Sequence, residues 1–231
     1  MEKIIKYFTR RIRKALVIHV GAGIHAQKIS KAYRIIEVEY GHGKSVSQNK
    51  CIDADGNAIP WFTYPAIDYL KQLDFSDKTM LEWGSGNSSK FFAPRLKQLY
   101  SIEHSKDWYE HVKSFALPRH ELYYAAENHY VEITDNFQKT FDIIVIDGIR
   151  RNDCVHKSPS LLNKGGLIIL DNSERYPELC EYLRNQNFIQ VDMHGLAPIN
   201  EFTATTTLFF ERSFNIKPLT RQPLVPIGGG Y

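Results

Sequence analysis

Short apolar runs that end in an acidic residue constrain the fold of this chain most strongly. Residues 143–146 and 167–170 are continuously apolar, and Asp147 and Asp171 follow them. Apolar runs of this kind are typical of strands buried on both faces, as in a parallel sheet covered by helices. An acid at the carboxyl end of such a strand faces the crevice where doubly wound sheets bind their ligands.

Strand-like runs alternate with helical patterns from residue 64 onward, which predicts an α/β fold. The predicted strands are 79–83, 99–103, 121–126, 141–147, 166–171, 188–193 and 204–211. The predicted helices are 65–73, 88–97, 106–115, 155–163 and 175–186. No helix separates the last two strands, so we expect an antiparallel hairpin at one sheet edge. The prediction is a doubly wound, mostly parallel seven-stranded sheet with helices on both faces and an antiparallel C-terminal hairpin.

Charge divides the chain into unlike parts. The formal net charge of its 231 residues is +3, but residues 1–50 hold 11 Lys/Arg and 3 Asp/Glu, whereas the remainder holds 18 and 23. An acidic body argues against a nucleic-acid binder. We predict a basic helical extension over 1–50, a ligand-binding domain over 51–212 and a loose, proline-rich tail over 213–231.

The basic extension contains two patterns. Residues 3–14 combine six Lys/Arg with helical spacing of apolar residues, which predicts a basic amphipathic helix. Such a helix either packs on its own domain or contacts an anionic surface, and residues 1–16 would then touch membrane headgroups. The segment Gly21-x-Gly23-x-x-Ala26 matches a dinucleotide-binding fingerprint. We interpret it as a Gly-rich loop because the helix after it would be short for such a unit.

Cysteine usage and hydropathy indicate the compartment. Cys51, Cys154 and Cys180 lie far apart and show no C-x-x-C spacing, which favours a reducing compartment over disulfides or a structural zinc site. No apolar run approaches the ~20 residues that a membrane span requires. We therefore expect a cytoplasmic protein, with peripheral membrane contact as the alternative.

A glycine-rich turn follows the first predicted strand and precedes a helix. It reads Glu82-Trp-Gly84-Ser85-Gly86-Asn87-Ser88. Gly84 and Gly86 permit a tight turn and the close approach of a ligand to the backbone. Asn87 or Ser88 can cap the following helix. Glu103 ends the second strand, where an acid can accept both hydroxyls of a ribose.

These motifs resemble those of class I S-adenosylmethionine-dependent methyltransferases. Glu82-Trp-Gly-Ser-Gly is similar to their first motif, and Ser101-Ile-Glu-His104 to the ribose-binding end of their second strand. The antiparallel ending resembles the family's seventh strand, which separates it from nicotinamide-binding sheets. The resemblance covers about residues 60–212. Residues 51–70 and the glycine turn also resemble uncharacterised bacterial members associated with glycan biosynthesis.

The resemblance implies S-adenosylmethionine as cofactor and assigns residues to it by position. Glu82 would hold the methionine end, Glu103 the ribose, and His104 would flank the adenine. The full implied set is Glu82, Gly84, Ser85, Gly86, Asn87, Ser88, Glu103, His104 and Asp147.

The acceptor side leaves the choice between a metal and no metal open. Asp147, Asp171 and Asn172 end neighbouring strands, and their oxygens would suit Mg²⁺. The same Asp and Asp-Asn pattern resembles the metal rim of the catechol O-methyltransferase group. Without metal, Asp147 would orient the ligands, and Asn172 would cap a helix. That group has a Lys base where this chain has Arg150, so His156 is the fallback base and Arg150, with Arg151, would clamp an anionic acceptor.

A small-molecule or glycan-linked hydroxyl acceptor fits this sequence best. Amino-methylating nucleic-acid enzymes carry Asp/Asn-Pro-Pro-aromatic after strand four, whereas this chain has Asp147-Gly-Ile-Arg150. The expected acceptor walls are the aromatic segment 51–64 and the loop 195–207. A non-catalytic nucleotide-binding scaffold that docks on an anionic surface is the alternative, and a nicotinamide oxidoreductase comes third. The sequence predicts no particular oligomeric state.

Overall fold

The computed structural model describes residues 23–229, in which seven strands form one sheet. The order across the sheet is β3-β2-β1-β4-β5-β7-β6. The strands are β1 Thr79–Trp83, β2 Gln98–Glu103, β3 His120–Tyr124, β4 Phe141–Ile146, β5 Leu162–Asp171, β6 Ile189–Leu196 and β7 Thr203–Phe210. The first five strands pair in parallel, while β7 pairs antiparallel with both β5 and β6. The predicted fold class and edge hairpin are confirmed.

Helices accompany the strands along the chain. They are α1 Gly23–Arg34, α2 His42–Gln48, α3 Tyr64–Leu70, α4 Asn87–Phe92, α5 Lys106–Lys113, α6 Arg151–Leu161 and α7 Pro177–Asn185. A π-helical turn, Ile35–Glu39, joins α1 to α2, and short 3₁₀ turns lie between other elements. Helix α6 begins four residues earlier than predicted, because Arg150 adopts a left-handed conformation (φ +48°) and turns the chain directly into the helix.

The core lies on both faces of the sheet, as the continuous apolar strands predicted. Successive residues of one strand point to opposite faces. Ile143 belongs to the apolar cluster on one face and Ile144 to the cluster on the other, and both are fully buried. At roughly 25 cal/mol per Å² of buried apolar surface, these two clusters supply the main stabilisation of the sheet.

The described part of the N-terminal extension starts at Gly23. The amphipathic helix predicted over 3–14 and the contact surface 1–16 lie outside residues 23–229. From Gly23 the chain is helical, so the interpretation of residues 23–26 as a loop is wrong. Within the described ranges, no helix is long and apolar enough to cross a membrane.

The C-terminal tail, predicted to be loose, contacts the body at several points, although residues 217–226 are exposed. Pro218 forms a β-bridge with Leu73, and Leu219 N–H donates to the carbonyl of Gln72 at 2.8 Å. Ile216 is buried in one of the two clusters. These contacts are made by the backbone at Pro218 and Leu219 and by the side chain of Ile216, which precedes the first proline of the tail.

Candidate functional site

The glycine turn lies where the sheet order reverses. From β1 the chain proceeds to β2 and β3 on one side and then crosses to β4 on the other, so the ends of β1 and β4 flank the switch point. Gly84 follows β1 with φ +101°, and an added Cβ would lie 3.2 Å from the Gly148 nitrogen. Glycine is required here because the two turns touch through their backbones.

Tyr130 closes the other side of this contact. An added Cβ on Gly148 would lie 2.0 Å from Tyr130 Oη. Tyr130 is fully buried, and its hydroxyl finds no hydrogen-bond partner within residues 23–229. Burial, chiefly, raises the pKa of this phenol well above its usual value. A buried hydroxyl without a partner is costly, so it marks a place where a ligand acceptor atom would be stabilising.

Glu82 lies beneath the turn in a chain of buried polar groups. Its Oε1 accepts hydrogen bonds from Ser101 Oγ at 2.7 Å and from Ser89 Oγ. Because Ser101 gives its one proton to Glu82, His120 Nε2–H must donate to Ser101 Oγ at 2.7 Å. Burial lowers the pKa of His120 to about 4, which keeps the ring neutral.

The second oxygen of Glu82 has no hydrogen-bond partner among the described residues, although the side chain is 1% exposed. Burial raises the pKa of Glu82 to about 7, and the hydroxyls of Ser89, Ser101 and Ser88 oppose this rise. The structure thus places the predicted cofactor residue directly below the turn, with one oxygen free for a ligand or a bridging water.

Asn87 and Ser88 do not cap helix α4 as predicted. Gly86 is the N-cap residue, and its N–H donates to Ser89 Oγ at 3.0 Å. Asn87 instead donates from Nδ2 to the carbonyl of Cys51 at 3.0 Å. The side chain of Asn87 is therefore used to hold segment 51–64 against the glycine turn, which sequence spacing could not reveal.

Glu103 lies at the end of β2, beside the turn. Its Oε2 accepts from Ser85 Oγ at 2.9 Å, and its Oε1 accepts from the backbone N–H of His104 and of Ser105, both at 2.9 Å. His104 Nδ1 lies 3.2 Å from Glu103 Oε1. Of these contacts, the hydroxyl of Ser85 is the one that rotation of a side chain can release, which would leave the carboxylate for a ribose hydroxyl.

Trp108 covers the turn from helix α5, and sequence reasoning missed it. Its Nε1 donates to the carbonyl of Ser85 at 2.8 Å, and its ring lies against Gly86. The side chain is 45% exposed. The sequence did contain a signal for Trp108. It lies in the first turn of the helix that follows Glu103, and this helix must begin beside the glycine turn.

Asp147 and Asp171 lie at the ends of the neighbouring strands β4 and β5, as predicted. The guanidinium of Arg151 binds both strand ends. Arg151 Nη2 donates to Asp147 Oδ1 at 2.9 Å and to the Asp147 carbonyl at 3.1 Å. Its Nη1 donates to the carbonyl of Asp171, and its Nε to that of Gly148 at 3.1 Å. Asp171 Oδ1 accepts from Thr206 Oγ1 at 2.6 Å.

Burial raises the pKa of both carboxyl groups, and the charge of Asp147 raises that of Asp171 further. Burial raises the pKa of Asp147 to about 6, and Arg151 opposes this rise. Burial and then the charge of Asp147 raise the pKa of Asp171 well above its usual value. At neutral pH the rim therefore carries an ionised Asp147 that is paired with Arg151.

The predicted Mg²⁺ site does not fit this arrangement. Arg151 already occupies the cation position between the two strand ends, and Asp171 is turned toward Thr206. Asn172, the third predicted ligand, lies in a left-handed turn (φ +53°). In the part of the chain that the structure describes, no group of three or more His, Cys, Asp or Glu side chains is arranged to hold a metal.

Arg150 and His156, the other two predicted catalytic residues, have structural partners. Arg150 pairs with Glu132 through two N–H groups at 3.1 Å each and with Asp153 at 2.7 Å. His156 is exposed on α6, where its Nδ1–H donates to the carbonyl of Asn152 and its ring stacks on Tyr182. Arg150 is therefore engaged in ion pairs, and His156 is a solvated helix residue. Of the three predicted catalytic residues, Asp147 remains the candidate base.

The two predicted acceptor walls contact each other above the rim. Trp61 Nε1 donates to Asn200 Oδ1 at 3.0 Å, and Thr63 N–H donates to Thr206 Oγ1 at 3.0 Å. Cys51, at the other end of the segment, is buried, and its pKa rises to about 12 through burial and the charges of Asp147 and Asp171. Segment 51–64 therefore crosses the crevice from the glycine turn to β7.

Comparison with solved structures shows which fold this is. The chain is similar to a precorrin-6Y C5,15-methyltransferase from Geobacter metallireducens (TM-score 0.50, 13% identity), with 64% of this chain and 87% of that one covered. It is also similar to the O-methyltransferase TomG from Streptomyces achromogenes, solved with S-adenosylmethionine (TM-score 0.50, 15% identity, 63% and 76% covered). No family model matches the sequence, and no curated protein matches it. The shared feature is the Rossmann-like methyltransferase fold.

Proposed function

We propose that this protein is an S-adenosylmethionine-dependent methyltransferase that methylates an oxygen of a small or glycan-linked acceptor. The observation that carries the proposal is the contact of Gly84 with Gly148 at the switch point, with Glu103 and Asp147 at the ends of the flanking strands. Doubly wound sheets bind their ligands at this point, outside the carboxyl ends of the strands. The fold shared with two methyltransferases supports the same assignment.

The residues around the turn fit the cofactor. Glu103 offers a carboxylate to the ribose once Ser85 rotates, and Trp108 offers an aromatic face beside Gly86. Glu82 and Tyr130 each hold a buried polar atom without a hydrogen-bond partner among residues 23–229. S-adenosylmethionine, when bound, supplies a methyl group on a sulfonium that reacts by in-line displacement. The protein's own contribution is to position the acceptor atom and to receive its proton.

Asp147 is the residue that we assign to the acceptor. One of its oxygens is held by Arg151, and its side chain is 30% exposed toward the crevice. With a pKa of about 6 it is ionised at neutral pH and can accept a hydrogen bond from an acceptor hydroxyl. Segment 51–64, in which Trp61 is exposed, forms the wall that an acceptor ring or sugar would contact.

A transfer assay tests the proposed function. The protein is incubated with S-adenosylmethionine labelled in the methyl group, together with phenolic, sugar and glycan-lipid acceptors. We expect label in one acceptor class, and we expect Asp147→Asn to abolish transfer while retaining the cofactor. Cofactor binding without transfer to any acceptor would instead favour the non-catalytic scaffold.

We also propose that the N-terminal region places this enzyme on anionic membranes. Helix α1 is exposed along its described side chains, with Ile29 69% and Tyr33 52% exposed on one face and Lys28 and Lys31 on the other. This is the amphipathic pattern of interfacial helices, and residues 1–50 add the positive charge that anionic lipids attract. Anionic lipids would repel the acidic body, so the molecule would be oriented with its N-terminal region toward the membrane.

Vesicle sedimentation tests the membrane proposal. The full chain should sediment with phosphatidylglycerol-containing vesicles but not with pure phosphatidylcholine. The double variant Ile29→Ser/Tyr33→Ser should weaken this binding, whereas the matched pair Val191→Ser/Ile189→Ser, exposed on the edge strand β6, should not. Equal binding to both vesicle types, or binding to RNA in preference to vesicles, would overturn the proposal.

A further inference from the structure

The rim between β4 and β5 contains a cation supplied by the chain itself. Arg151 directs its Nε, Nη1 and Nη2 groups to the carbonyls of Gly148, Asp171 and Asp147, and it also pairs with the Asp147 carboxylate. Its side chain is 10% exposed. A guanidinium held by three carbonyls and a carboxylate has the ligand chemistry of a bound divalent ion, since all four partners are oxygens.

We propose that Arg151 is a positioning residue that replaces a divalent cation at the acceptor rim, so that the acceptor is oriented by Asp147 without a metal. The guanidinium fixes Asp147 Oδ1, which directs the other oxygen to the crevice. It also ties the ends of β4 and β5 together and neutralises one of two adjacent carboxyl groups. A divalent ion at the same position would have to displace Arg151 and release Asp171 from Thr206.

The start of helix α6 explains why arginine fills this position. Arg150 is turned outward to Glu132 and Asp153, and its left-handed conformation directs the next side chain back to the strand ends. The aromatic ring of Tyr176 lies 5.7 Å from the Arg151 guanidinium and covers it. Lysine could not replace this side chain, because an ammonium lacks the planar set of donors that meets all four oxygens.

The catalytic consequence rests on the proposed function, but the occupancy of the rim can be measured without cofactor or acceptor. Mn²⁺ is titrated into the full-length protein, and bound ion is followed by electron paramagnetic resonance. We expect wild type to have no Mn²⁺ site at the rim, so Asp171→Asn should not reduce its Mn²⁺ binding. Removal of the guanidinium leaves two carboxyl groups without a counter-charge, so Arg151→Ala should bind Mn²⁺ at least about tenfold more tightly than any residual Mn²⁺ binding by wild type.

Two further variants make the outcome decisive. Arg150→Ala removes the neighbouring guanidinium, which is not at the rim, and should leave Mn²⁺ binding as in wild type. Arg151→Gln keeps a donor and similar size without the charge, and it replaces Arg151→Ala if that variant fails to fold. A wild-type Mn²⁺ site lost in Asp171→Asn, or no gain of Mn²⁺ binding in either Arg151 variant, would overturn the proposal. Neither result would bear on whether S-adenosylmethionine binds.

Discussion

The buried carboxyl group of Glu82 makes a quantitative prediction about stability. Burial raises its pKa from 4.5 to about 7. The folded protein therefore keeps a proton that the unfolded chain loses between these two values, and folding stability falls as pH rises through this window. Since one pKa unit corresponds to about 1.4 kcal/mol, the loss amounts to about 3 kcal/mol.

Substitution Glu82→Gln removes this titration and retains the shape of the side chain. The amide oxygen can still accept from Ser89 and Ser101, and the NH₂ group replaces the oxygen that has no partner in the described structure. We expect the free energy of unfolding of Glu82→Gln, relative to wild type, to increase by about 2–3 kcal/mol between pH 5 and pH 8. Asp147 and Asp171 titrate in both proteins, so their contribution cancels in the difference.

Urea unfolding at four pH values between 5 and 8 measures this difference. The m-value should stay constant, because the surface exposed on unfolding does not change. Glu110→Gln, an exposed carboxylate on α5, is the matched control and should track wild type at every pH. If the free energy of unfolding had the same pH dependence in wild type and Glu82→Gln, Glu82 would not lie in a buried site that favours its protonated form.

Three further predictions follow from particular contacts. Gly148→Ala should destabilise the protein by about 2 kcal/mol in urea unfolding, and Tyr130→Phe should recover part of this loss because it removes the hydroxyl that the new methyl meets; no recovery would show that the clash is elsewhere. Thr206→Val should cost about 1–3 kcal/mol, since it removes the hydroxyl that donates to the buried Asp171 carboxyl and accepts from the Thr63 N–H, and an unchanged unfolding midpoint would contradict this. Arg150→Gln should lower stability by less than about 1 kcal/mol and leave cofactor affinity in calorimetry unchanged, because its partner Glu132 is largely solvated.

The sequence predicted the sheet because its signals are local. Residues 143–146 and 167–170 must be buried on both faces wherever they lie, and the acids that follow them then reach the same edge. The position of Gly84 before a helix predicted the glycine turn for the same reason. These features depend on neighbours in the chain, so their places in the fold follow from pattern alone.

The side-chain partners at the site depend on contacts between distant segments. Asn87 looked like a helix cap, but it holds Cys51 from 36 residues away. Arg151 was predicted to clamp an anionic acceptor, yet it binds the strand ends because α6 begins at that residue. Tyr130 carried no signal, since its role arises only from the absence of a side chain at Gly148.

Calorimetric titration with S-adenosylhomocysteine tests whether the crevice at the glycine turn binds this cofactor. We expect 1:1 binding to wild type and a loss of about 10- to 100-fold in affinity for Glu103→Ala, because a carboxylate that accepts from ribose hydroxyls contributes about 1.5–3 kcal/mol. Glu121→Ala, on the neighbouring strand β3 and outside the crevice, should bind as wild type does. If neither S-adenosylhomocysteine nor S-adenosylmethionine binds, or if Glu103→Ala binds as tightly as wild type, the assignment of the crevice to this cofactor is wrong.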